Sequence, residues 1–186
     1  MTLAESNEEL EIGSEAPSFK LIGTDEKMHS VDSFLDYDCL LLVWTCNHCP
    51  YAQAKISVLN AFAEDYEQVA VVGISSNDVS AYPEDSFDMM KEWVENGKIK
   101  YDYYLYDEDQ AVAKKYGAEC TPDPFLFVRK GGKFILQYHG RLDNATNPDD
   151  VATRHEMKEI IDISLKKETW KGEHNPAIGC NIKWKI

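Results

Sequence analysis

Basic side chains are scarce in this chain. Lys and Arg number 19 against 33 Asp and Glu in 186 residues, a net charge of −14. Binding along nucleic-acid phosphates needs a basic face, so no nucleic-acid partner is expected. No apolar run approaches the roughly 20 residues of a bilayer span, so no membrane association is expected either. The first nine residues hold no basic segment followed by an apolar stretch. The chain as given therefore carries no secretory signal, and the cytoplasm is the expected location. Cysteines are five, an odd and sparse set that excludes a disulfide-stapled secreted scaffold. Internal repeats, low-complexity tracts and internal linkers are also missing. What remains is 44% hydrophobic and 28% charged, enough for the core of one domain.

The apolar segments alternate in period. Cys39 to Trp44 is a continuous apolar run too short for a buried helix, and it reads as a central strand. From Pro50 on, Ile56, Leu59, Phe62, Ala63 and Tyr66 recur at helical spacing. Val69–Ile74 predicts a second buried strand, and Pro83-Glu84-Asp85 opens a helix carrying Phe87, Met90, Trp93 and Val94. Tyr103–Tyr106 reads as a strand, and Asp109–Tyr116 as a short helix stopped by Gly117. Phe125–Val128 and Phe134–Tyr138 flank Gly131-Gly132 as a hairpin. Thr153-Arg154-His155-Glu156 predicts a capping box for a last helix through Leu165.

This order implies an α/β fold: a central mixed sheet with an antiparallel C-terminal hairpin and helices on both faces. Residues 1–12 form an acidic, solvated lead-in, 13–165 the domain, and 166–186 a tail whose Ile and Trp pack on it.

The chemistry centres on Cys46-Asn47-His48-Cys49. A strand feeding a helix through CxxC sets the first sulfur near unpaired backbone N–H groups, which stabilise a thiolate. Cys46 is then the nucleophile, and Cys49, three residues on, is placed to close a disulfide and release a bound partner. His48 can add positive charge or a hydrogen bond beside Cys46, which favours the reduced form. Zinc is the competing use of such a pair. A structural site needs four ligands, and no second CxxC exists, so no metal is expected. Downstream, Cys120-Thr121-Pro122-Asp123-Pro124 precedes a strand. It reads either as a plain strand-start turn or as a cis-Pro loop against the CxxC, with Thr121 offering backbone groups to substrate. Cys120 is either a small buried residue or, with Cys180, a secondary redox pair. Asn47 within the motif and Trp44 just before it are further substrate-binding or tuning candidates, and core packing explains Trp44 equally well. Asn77 and Asp78 follow a strand's C-terminal end, where open α/β sheets place functional loops.

Taken together, Cys46-Asn47-His48-Cys49-Pro50-Tyr51, Gly13-x-x-Ala16-Pro17-x-Phe19, Ser76-Asn77-Asp78, Tyr82 to Phe87, Thr121-Pro122-Asp123 and Ile178 to Lys185 run in order over most of the chain. In this the chain resembles the thioredoxin-like superfamily, in its AhpC/TSA (redoxin) branch, and within it the peroxiredoxin-like proteins marked by a CNHCPY motif. The resemblance implies a thioredoxin fold, thiol–disulfide exchange with Cys46 as nucleophile and Cys49 as resolving thiol, a cis Pro122, and no organic cofactor beyond a Cys46–Cys49 disulfide. Implied partners are protein or small-molecule disulfides and thiols and a cellular thiol-reducing system. Two departures stand out. The Pro-x-x-x-Thr-x-x-Cys pattern of peroxiredoxins is missing: Cys39 and Val43 precede Cys46, and Leu42 and Cys46 precede Cys49. Leu40 replaces the buried Asp that thioredoxin carries six residues before its first Cys. Thiol-dependent peroxidase activity and a non-catalytic redox-sensing role are the alternatives.

Overall fold

The computed structural model describes residues 2–186. Strand β1 (Leu3–Glu5) leads into a hairpin of β2 (Lys20–Gly23) and β3 (Met28–Ser30). After a 3-10 turn at Val31–Phe34 comes β4 (Cys39–Trp44), then α1 (Pro50–Gln53), α2 (Ile56–Asp65) and β5 (Val69–Ser75). A 3-10 turn at Pro83–Asp85 precedes α3 (Phe87–Glu95), β6 (Tyr103–Tyr106) and α4 (Ala111–Tyr116). The chain continues through β7 (Cys120–Thr121), β8 (Asp123–Lys130), β9 (Lys133–His139), α5 (Glu156–Leu165) and β10 (Ile178–Asn181).

Seven strands form one mixed sheet in the order β3-β2-β6-β5-β4-β8-β9, with β4, β5 and β6 parallel and β8 antiparallel to β4. All six residues of β4 are fully buried, as its unbroken apolar run requires of a central strand. The pleat divides them. Leu40, Leu42 and Trp44 join Val112, Ala113 and Tyr116 of α4 on one face. Leu41 and Val43 join Leu59 and Phe62 of α2, Met90 of α3 and Ile160 and Ile161 of α5 on the other. Helices thus cover both faces, as the alternating pattern predicts.

Three local readings are corrected. The helix expected from Pro50 is two pieces, parted where Ala54 N and Lys55 N bond back to Pro50 O and Ala52 O. Asp85 lies in a 3-10 turn with its carboxylate turned inward, and Ser86 caps α3 instead. The Thr153 capping box does not form: His155 is the N-cap of α5, Thr153 pairs with Asn144, and Glu156 is drawn to Arg141.

The two ends of the chain meet. β1, read as part of a solvated lead-in, pairs antiparallel with β10, and β10 pairs with β7 in a second, three-stranded sheet. These short strands carry no apolar alternation of their own, so local pattern does not announce them. Gly179 sits at the closest approach in this sheet. A Cβ there would collide with the carbonyl oxygen of Thr121. Gly179→Ala is therefore expected to push β10 away from β7 and cost about 1–3 kcal/mol in urea unfolding, the range for overpacking. An unchanged unfolding midpoint would show that the tail has slack there.

Candidate active site

β4 delivers the CxxC at its C-terminal end, and the pairing of β10 with β7 brings the tail over it. Cys46, Cys49 and Cys180 form one small buried cluster with Ala52, flanked by Tyr51. Thr121 touches both cysteines of the motif. Its hydroxyl lies 3.4 Å from Cys46 Sγ, and its carbonyl oxygen 3.5 Å from Cys49 Sγ. The Thr121–Pro122 peptide bond is cis. Asp123 fixes this loop from behind, accepting from Glu119 N at 3.0 Å and pairing with His139 Nε2 at 2.7 Å.

Asp85 is the hub of the motif loop, and sequence reading misses it. Its side chain is fully buried. Oδ1 accepts from the backbone N–H groups of Asn47 (2.8 Å) and His48 (3.0 Å). Oδ2 accepts from Asn77 Nδ2 at 2.8 Å and meets His48 Nδ1 at 2.5 Å. With Nδ1 held at the Asp85 carboxylate, Nε2 is the ring's remaining polar atom. That Nε2 has no hydrogen-bond partner among the described residues. The ring stacks on Tyr82 at 4.4 Å. The one hint of this role in the sequence is Tyr82-Pro83-Glu84-Asp85, but its acids suit a helix start just as well.

Asn47 is fully buried, accepting from Tyr104 OH at 3.0 Å through its side chain and from Gln53 Nε2 at 2.6 Å through its carbonyl. Trp44 is turned into the core, packed on Tyr116 and Phe125, with Nε1 donating to Ser76 Oγ. Asn77 holds the tail as well as Asp85, since Lys183 N donates to its Oδ1. Lys183 Nζ is fixed by Asn181 O and Oδ1, and burial pulls its pKa down against the opposing pull of the nearby Asp85 carboxylate.

Three expectations about the thiols are corrected. The disulfide in this structure joins Cys49 to Cys180, with Cα atoms 6.5 Å apart, and leaves Cys46 a free thiol. Register is the reason: Cys180 stands opposite Thr121 in the β10–β7 pair, which places it over Cys49. The proposed Cys120–Cys180 pair does not form. Cys120 is a buried free thiol whose sulfur faces the carbonyls of Pro122 and Ala177. Nor is Cys46 activated. Burial, and then the charge of Asp85, push its pKa up to about 12, against smaller lowering effects from Thr121, the Cys49 backbone and Asn77. The helix is short and starts beyond the motif, with Cys49 as its N-cap, so its N-terminus does little for Cys46. Labelling of Cys46 by iodoacetamide in the oxidised chain is expected to be slow at pH 8. It should still be rising at pH 10, because the thiolate fraction grows about tenfold per pH unit below the pKa. A plateau by pH 9 would contradict this.

Cys46 Sγ, a His48 ring nitrogen and an Asp85 oxygen lie within 4.8 Å of one another, a donor set that soft divalent cations use. Both Asp85 oxygens accept from four N–H groups, so Asp85 and His48 stand here in a hydrogen-bond network.

Residues 12–143 match the AhpC/TSA family. The chain belongs to the AhpC/TSA family. A comparison with curated proteins gives no match. Among solved structures, this AhpC/TSA protein is similar to an uncharacterized conserved protein from Geobacillus kaustophilus. The two share 35% identity over 100% of this chain and 97% of that one, with a TM-score of 0.90. A hypothetical protein from Sinorhizobium meliloti 1021 shows 34% identity over 98% of both chains, TM-score 0.90. The thioredoxin domain of a thiol-disulfide oxidoreductase from Bacteroides vulgatus shares the fold at 18% identity, covering 70% of this chain and 91% of that one, TM-score 0.55. The fold is thioredoxin-like, and the AhpC/TSA protein is a redox protein of the oxidoreductase class. Among the described residues no helix is long and apolar enough to cross a membrane.

Proposed function

We propose that this AhpC/TSA protein is a cytoplasmic thiol–disulfide oxidoreductase with Cys46 as nucleophile and Cys49 as resolving thiol, needing no organic cofactor. One observation carries the reading. Both sulfurs of the CxxC are gathered at Thr121, beside Pro122, within a buried cluster of cysteines. Cys46 thiolate attacks one sulfur of a substrate disulfide, and the other sulfur leaves as a thiolate. Cys49 then attacks the Cys46 sulfur of the mixed disulfide and releases the second substrate thiol. His48, held by Asp85 with a ring nitrogen within 4.8 Å of Cys46 Sγ, tunes the exchange at that sulfur. Substrates are protein or small-molecule disulfides, and a cellular dithiol system restores the reduced form.

The test is exchange between the reduced protein and oxidised glutathione, with Cys46→Ser alongside. The variant should fall to the rate of the blank. Wild-type rates in Cys46→Ser would overturn the assignment.

A second reading, thiol-dependent peroxidase, has one observation behind it. The Thr121 hydroxyl stands 3.4 Å from Cys46 Sγ and supplies from a distant loop the hydroxyl that Val43, in the place of the peroxiredoxin Thr, lacks. Stoichiometric hydrogen peroxide consumption by the reduced chain, faster than by free cysteine, would favour it. Burial of Cys46 and its raised pKa work against it.

A further inference from the structure

We infer that Cys180 is a third redox thiol and that the resting oxidised protein stores its oxidising equivalents on Cys49–Cys180, which returns Cys46 to the thiol state. The inference rests on the proposed exchange chemistry at Cys46 and extends it. Three observations carry it. Cys49 is bonded to Cys180, while Cys46 is free in the same buried cluster. The third sulfur is placed by an extended strand, β10, paired antiparallel with the Cys120–Thr121 edge in the register Cys180↔Thr121. That strand is fixed on both sides and beyond its end: Asn181 N donates to Thr2 O, Ile182 N to Glu119 O, Lys183 N to Asn77 Oδ1, and Gln110 Nε2 to Lys183 O. The tail is therefore the chain's own occupant of the edge that would otherwise offer Thr121 backbone groups to a disulfide-bonded substrate.

The steps balance. Reduced Cys46 attacks a substrate disulfide R–S–S–R′, forming Cys46–S–S–R and releasing R′S⁻. Cys49 attacks the Cys46 sulfur, forming Cys46–S–S–Cys49 and releasing RS⁻. Cys180 attacks the Cys49 sulfur, forming Cys49–S–S–Cys180 and releasing Cys46 as a thiolate. The two protons lost by Cys49 and Cys180 end on RSH and R′SH. Overall one disulfide is reduced by two electrons and Cys46 is unchanged. An external dithiol reduces Cys49–Cys180 and closes the cycle.

The experiment oxidises the reduced full-length chain with oxidised glutathione, quenches by alkylation, and maps disulfides by peptide mass spectrometry. Wild type, Cys180→Ser, Cys180→Ala and Cys46→Ser are compared, with native circular dichroism checked for each. Wild type should end with Cys49–Cys180 and alkylated Cys46. Both Cys180 variants should stop at Cys46–Cys49. Cys46→Ser should form Cys49–Cys180 at least tenfold more slowly. If oxidised wild type instead holds Cys46–Cys49 with Cys180 alkylated, the third-thiol role is overturned while the exchange function stands. If folded Cys180 variants form no Cys46–Cys49 disulfide, the transfer step is overturned. If Cys46→Ser oxidises at the wild-type rate, the role of Cys46 as entry thiol fails and the exchange reading fails with it.

Discussion

Replacing Asp85 by Ala is expected to destabilise the protein by about 3–5 kcal/mol, the range for breaking one side of a buried polar network. The Asp85 carboxylate is fully buried and accepts from four N–H donors: the backbones of Asn47 and His48, Asn77 Nδ2 and His48 Nδ1. Alanine would strand all four away from water. Each unpaired buried donor costs about 1–3 kcal/mol, less where relaxation lets water in, so the total stays below the sum. For a domain of this size that is a fall in Tm of roughly 6–20 °C, readable by calorimetry. Asp85→Asn separates charge from shape. It keeps one acceptor oxygen and removes the negative charge that helps hold the Cys46 thiol protonated. Stability should fall less than with Ala. The Cys46 pKa should fall as well, since loss of a nearby anion favours the thiolate, so alkylation at pH 8 should become faster. Equal stability of wild type and Asp85→Ala would show that the motif loop is held by packing alone.

Breaking the Cys49–Cys180 disulfide is expected to have the next largest effect, a loss of about 2–4 kcal/mol. The two residues are 131 apart in sequence, so the bond closes a long loop in the unfolded chain. In the chain-entropy view, that constraint raises the free energy of the unfolded state. Comparing urea unfolding of the oxidised chain with that of the dithiothreitol-reduced chain should show the midpoint falling by about 1–2 M for an m-value near 2 kcal/mol/M. Cys180→Ser with dithiothreitol should match the reduced wild-type midpoint. Coincident oxidised and reduced midpoints would mean that the tail is anchored wholly by its bonds to Asn77, Gln110 and Glu119.

These two sites divide along the line between what local sequence can reveal and what it cannot. Cys39–Trp44 is an unbroken apolar run, and such a run has few uses other than a central strand. The helices after β4, β5 and β6 follow from apolar spacing, and the β8–β9 hairpin from Gly131-Gly132 between two strand-like runs. The CxxC at a strand end, and Thr121-Pro122 before a strand, are likewise local signals, and their residues do meet in space. The sequence by itself therefore determined the α/β order and the neighbourhood of the chemistry.

Tertiary structure decided the rest, because the deciding contacts join residues that no periodicity links. Asp85 reaches the motif loop across 38 residues. Cys180 reaches Cys49 because a four-residue strand, too short to show a pattern, pairs with a two-residue strand at Thr121. The state of Cys46 was decided the same way. A CxxC ahead of a helix suggests a stabilised thiolate, but the depth of burial and the approach of Asp85 exist only once the chain has folded, and they hold that sulfur protonated.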